Sequence, residues 1–162
     1  MYYYTHLEDY ITHFYKQLGI TDLSLLSFQE IATRLGIKVF YWSECSQALF
    51  IEGRAYIFLE ENLSPEKEWQ DFCHELCHVL LHSGNQFNLP PLFHQYQEHK
   101  ANNFMYHACV PSFMLERMEL YGATKNDILH VQQQFNVEYE FAETRLNKYF
   151  MNKYNHIYWI DK

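Results

Sequence analysis

Residues 74 to 78 read His74-Glu75-Leu76-Cys77-His78, inside a stretch that carries its own helix signals. Ser64-Pro65-Glu66 offers a hydroxyl N-cap, proline at the first helical position and acid in the first turn. The spacing predicts a helix from there to about His82, ending at Ser83-Gly84-Asn85. At about 100° per residue, Asp71, His74, Glu75, His78 and His82 share roughly 100° of arc, and apolar residues from Trp69 to Leu81 cover the rest. A surface helix shows the reverse proportion, so this helix is buried and reserves one narrow stripe for ionisable groups. Burying such groups is costly without partners. Two imidazoles one turn apart can bind a single zinc ion, with the intervening glutamate left beside the metal-bound water.

A hydrolytic zinc site needs a third protein ligand and an open position for water. The positions that would carry the glycine and the third histidine of the extended pattern hold Leu81 and Gly84, so the three-histidine class is excluded. A glutamate from a later helix is the alternative, and Glu98 is the best candidate. It lies on a helix expected from about Phe93 to Cys109, between the Pro90-Pro91 interruption and Pro111. Asn102, one turn further along the same face, would accept the free ring N–H of a liganding histidine and fix its tautomer. For stabilising the charge that develops on a reacting carbonyl, His82, His94, Tyr106 and His107 all stand as candidates, and spacing does not choose among them.

Upstream, Leu7 to Leu18 shows the periodicity of an amphipathic helix stopped by Gly19, and a second short helix runs from the Ser27/Glu30 capping box to Gly36. Ile37–Trp42, Ala48–Ile51 and Ala55–Leu59 read as strands, the last two joined through Glu52-Gly53-Arg54 as a tight hairpin. An antiparallel sheet of about three strands is expected. Downstream, helices are expected at about Ser112–Leu120, Lys125–Phe135 and Glu138–Phe150, and the tail from Tyr154 to Lys162 is short and aromatic. The fold class is α+β. With 162 residues, no repeat and no long linker, one domain spanning 1–162 is expected, with 25–111 holding the sheet and the zinc-site helices and 112–150 the C-terminal helices packed on that core.

Twelve basic against 20 acidic residues give a formal charge of −8, the wrong sign for a phosphate-backbone binder. The helical pair at 125–150 has helix-turn-helix proportions, yet Lys125, Arg145 and Lys148 face Asp127, Glu138, Glu140 and Glu143, so no direct nucleic-acid contact is expected. No apolar run approaches a membrane span, and the first residues carry neither the basic segment nor the apolar run of an export signal. Cys45, Cys73, Cys77 and Cys109 form no C-x-x-C pair. Reduced thiols, a cytoplasmic location and no membrane partner are the expectations.

The ordered pair of motifs, His74-Glu75-Leu76-Cys77-His78-Val79-Leu80-Leu81-His82 followed by Glu98-His99-Lys100-Ala101-Asn102-Asn103-Phe104 and Val110-Pro111, resembles the ImmA/IrrE-type metallopeptidases, minimal zinc peptidases of bacteria, phages and integrative elements. The chain departs from that pattern at Met105, where alanine is usual, and at His107-Ala108-Cys109, where Glu-Leu-Leu is common. The resemblance spans most of residues 25 to 150. It implies a gluzincin-like helical core under the sheet and zinc on His74, His78 and Glu98. Glu75 would serve as the general base that takes a proton from the metal-activated water. It also implies a protein substrate, a helix-turn-helix transcriptional repressor of the encoding element, cut at a specific site. The alternative is a zinc-containing, peptidase-like module that sequesters such a regulator without cutting it.

Overall fold

The computed structural model of the chain describes residues 2–81 and 90–155. The expected helix stop at Ser83-Gly84-Asn85, His82 itself and the tail beyond residue 155 lie outside the described residues. The chain gathers into two units: Leu26–Tyr106 form one, and the residues before and after that stretch form the other.

In the Leu26–Tyr106 unit, α2 (Phe28–Leu35) starts at Ser27, whose hydroxyl accepts the Glu30 N–H, and closes on Gly36 in the left-handed conformation. Then come β1 (Lys38–Trp42), β2 (Gln47–Ile51) and β3 (Arg54–Glu60). The sheet order is β1-β3-β2. β2 and β3 pair antiparallel, Gln47 opposite Phe58 and Ile51 opposite Arg54. β1 pairs with β3 in parallel, Lys38 opposite Tyr56 and Trp42 opposite Glu60. The sheet is therefore mixed, which corrects the all-antiparallel expectation. The reason lies in burial: Ile57 and Leu59 of β3 are both fully inaccessible, so β3 takes the centre. The chain reverses once after β1 and once at Glu52-Gly53, and two reversals bring β3 back in the direction of β1. Glu52 and Gly53 both have positive φ, at 51° and 75°, the backbone that a two-residue hairpin of matching twist requires.

One face of the sheet packs on α3 (Pro65–Leu81), whose Trp69, Phe72, Cys73, Leu76 and Cys77 are buried. Phe72 also meets Phe28 of α2, ring centroids 5.4 Å apart. The other face carries an aromatic row in which Phe58 lies between Phe40 and Trp42, at 5.4 and 5.0 Å. α4 (Pro91–Cys109) begins two residues earlier than the sequence suggests and contributes the second helix of the site.

In the second unit, α1 (His6–Gln17) opens on a reciprocal capping box between Thr5 and Glu8. α5 (Ser112–Leu115) is shorter than expected, because after Glu116 the chain tightens into successive three-residue turns. α6 (Lys125–Phe135) has the expected bounds and ends on Asn136 in the left-handed conformation. α7 (Tyr139–Asn155) runs one turn longer than expected. Tyr15 donates from its hydroxyl to the Ala108 carbonyl at 2.7 Å. The fully buried Arg145 donates through Nε to the Val110 carbonyl at 3.0 Å and through Nη2 to Ser112 Oγ at 2.7 Å. Ser112 in turn donates to the Glu8 carboxylate.

Candidate metal centre and active site

The stripe on α3 forms as its periodicity requires: Glu75 and His78 are buried, while Asp71 and His74 are partly exposed. Across from it, α4 presents His94, Glu98 and Asn102 at four-residue intervals, one above another on a single face. His74 Nε2 lies 3.2 Å from Glu98 Oε2, and His78 Nε2 lies 3.1 Å from Glu98 Oε1. The two imidazole Nε2 atoms are 3.2 Å apart. Asn102 Oδ1 is 3.1 Å from His74 Nδ1, and a carbonyl oxygen can only accept, so the proton of that ring sits on Nδ1. The lone pair on His74 Nε2 then faces the carboxylate and the second imidazole.

Converging electron-pair donors of this kind are stabilised by a cation among them. Among the described residues, His74, His78 and Glu98 form the group able to hold a metal ion. Their separations of 3.1–3.2 Å are close to the ~3.3 Å between ligands of a tetrahedral ion bound at about 2.0–2.1 Å. The residues fit a metal.

Glu75 sits beside this group. Its Oε2 accepts the Ala48 N–H of β2 at 2.7 Å. Burial pushes its carboxyl up to about 8, the Ala48 hydrogen bond pulls it back, and the charges of Glu98 and Asp71 add to the rise. A cleft of about 290 Å³ is lined by Cys45, Ser46 and Gln47 at the entry to β2, by His74, Glu75 and His78 of α3, and by His94 and Glu98 of α4. The cleft thus combines a metal-competent trio with a proton acceptor of raised pKa, the combination that metal-assisted hydrolysis uses.

The structure brings together His74, Glu75, His78, Glu98 and Asn102, as the spacing predicts. Of the residues left open for charge stabilisation, His94 lines the cleft. His82 lies outside the described residues. His107 does not line the cleft: it is buried in the other unit, with Nδ1 3.9 Å from Glu8 Oε1. Tyr106 does not line the cleft either. For His107 the reason is helical register: nine positions beyond Glu98, at about 100° per residue, it points to the opposite side of the helix. Cys77 is buried, and burial pushes its thiol up to about 12, so it offers no thiolate. The Ala48 amide and the Ser46 hydroxyl, both at the site, carry no sequence signal that would single them out.

Comparison with known proteins agrees with this geometry. A peptidase family model described as the IrrE N-terminal-like domain matches residues 25–147. The phage-like element PBSX protein XkdA of Bacillus subtilis (strain 168) is 42% identical over 147 residues, covering 91% of this chain and 74% of that protein. The uncharacterized protein YqaB of the same organism is 33% identical over 154 residues, covering 95% and 90%.

Proposed function

Because the chain belongs to the peptidase family of IrrE N-terminal-like domains, we propose that it is a zinc-dependent endopeptidase that cleaves a helix-turn-helix transcriptional repressor of a phage-like element. The observation that carries this reading is the convergence of His74, His78 and Glu98, with each imidazole Nε2 3.1–3.2 Å from one oxygen of the Glu98 carboxylate and 3.2 Å from the other Nε2, and with Glu75 lining the same cleft. Two imidazoles, one carboxylate and an open position suit zinc. When bound, zinc supplies a Lewis acid that polarises a peptide carbonyl and activates water.

The chain's own residues do the rest. His74 and His78 bind the ion through Nε2, and Glu98 binds through its carboxylate. Asn102 holds the Nδ1 proton of His74 and so keeps its Nε2 free to ligate. Glu75, with Oε2 held by the Ala48 amide, keeps Oε1 for the cleft, takes the proton of the attacking water and returns it to the leaving amine. His94 is positioned on the cleft wall to stabilise charge on the reacting carbonyl.

The substrate reading rests on the phage-like element that one relative is named for. The charge of −8 supports a basic protein partner such as a DNA-binding repressor. A cytoplasmic location goes with it, and no described helix is long and apolar enough to cross a membrane. The test is to incubate the zinc-loaded protein with the repressor encoded beside it and analyse the mixture by mass spectrometry. One cleavage site is expected, lost in Glu75→Gln while zinc is retained. A stable complex with the repressor intact would instead mark sequestration.

A further inference from the structure

Asp71 belongs to the ionisable stripe of α3, yet it lies outside the metal-competent trio and the residues lining the cleft. Its Oδ2 accepts a hydrogen bond from Ser46 Oγ at 2.6 Å. That hydroxyl also accepts the Glu60 N–H, at the end of β3, at 3.1 Å. One turn along α3, Glu75 accepts the Ala48 N–H. The first residues of β2 are therefore held to α3 by two rungs, Ser46–Asp71 and Ala48–Glu75. Their spacings match: four residues of helix rise about 6.0 Å, and two residues of strand span about 6.6–6.8 Å. The strand entry and the helix run in the same sense along this pair of rungs, and Gln47, between them on the strand, lines the cleft.

We propose that Asp71 is a positioning residue which, through Ser46, fixes the entry to β2 so that the Ala48 amide holds Glu75 in its working orientation. The physical need is plain. Glu75 carries a mobile carboxylate on three side-chain torsions, and one backbone amide restrains it. That restraint is only as rigid as the strand that bears the amide. Gln47–Ile51 is an edge strand, so without a second anchor its first residues fray. Asp71 supplies the anchor from the helix that carries Glu75, and the Glu60 amide ties the same hydroxyl to β3. Strand entry, central strand and site helix then move as one body. The assignment rests on the peptidase reading for what Glu75 does, but the rung itself is measurable without any substrate.

The experiment follows amide hydrogen exchange by NMR in the ¹⁵N-labelled, zinc-loaded full chain. Asp71→Ala and Ser46→Ala are expected to speed exchange at Ala48 by about tenfold or more. Ser46→Thr, which keeps the hydroxyl, should restore protection. The amides of Ile57 and Leu76 and the zinc content should remain at parental values. Asp71→Asn, which keeps shape and one acceptor, is run alongside as the variant most certain to fold, with a smaller change at the same amide. On a repressor that the parent cleaves, kcat falls while KM holds. Parental exchange at Ala48 in Asp71→Ala and Asp71→Asn overturns the proposal, as does a loss of protection spread evenly over α3, β2 and β3. Parental protein that cleaves nothing but shows the Ala48 response removes the peptidase reading and leaves the positioning role standing.

Discussion

Asn102 is 3.1 Å from His74 Nδ1, and that single contact decides which ring nitrogen is free for a metal. Replacing Asn102 by Ala removes the acceptor and lets the ring rotate or change tautomer, with all three proposed ligands still present. Zinc affinity should fall by about 10- to 100-fold, measured by competition with a chromogenic chelator. An unchanged affinity would mean that packing alone orients His74. The residues on which this rests were readable in the sequence for a definite reason. His74, Glu75 and His78 follow from helical spacing, and Glu98, 20 residues after His78 on the helix after Pro90-Pro91, with Asn102 one turn further along the same face, is the best candidate among the later carboxylates. The partners that came from the backbone were not readable. An amide such as that of Ala48 has no sequence mark, and only the fold brings it within 2.7 Å of Glu75.

At the scale of elements, the β2–β3 turn gives a clean test of backbone geometry. Glu52 and Gly53 both occupy positive φ, and nothing lies within 4 Å of where a Gly53 side chain would begin. A Gly53→Ala change therefore meets no clash, only the cost of a left-handed backbone, about 1–2 kcal/mol. Glu52→Asn should act in the opposite direction, since asparagine accepts this conformation better than glutamate. Paired urea denaturation curves would show a lower midpoint for the first and a higher one for the second. The turn was legible because glycine marks it. The pairing of β1 with β3 was not, because parallel pairing between strands separated by a third depends on which strand is most buried, and short apolar runs do not rank themselves. The capping box at Thr5 and Glu8 is written in the sequence as T-x-x-E and sets the helix start just before the apolar periodicity begins at Leu7.

At the scale of the whole chain, residues far apart in sequence meet in a buried polar group whose titration predicts a loss of stability in acid. Burial pulls His107 down to about 3; the charges of Arg145 and Lys148 add to the fall, and Glu8 opposes it. Burial alone would raise Glu8, but hydrogen bonds from Ser112, the Thr5 amide and Tyr2, with the charge of Arg145, hold it below the usual carboxylate range. The unfolded chain takes up a proton on histidine near pH 6.5 that the folded chain refuses until about pH 3. Stability from this source is complete above pH 6.5 and is lost as pH falls, and Glu8 adds a further loss below about 4.5. Thermal melting from pH 7.5 to 4.5 should show a falling midpoint, and His107→Gln should flatten the part between 6.5 and 4.5. A midpoint independent of pH over that range would contradict the assignment of a neutral, buried His107.

The central claim is that His74, His78 and Glu98 form a zinc site, and metal content tests it directly. Purified protein stripped with chelator and titrated with zinc should bind one ion per chain by calorimetry. His78→Ala and Glu98→Ala should each abolish that binding, and Glu75→Gln should keep it. A parental chain that binds no zinc, or a His78→Ala variant that binds it as well as the parent, would contradict the account.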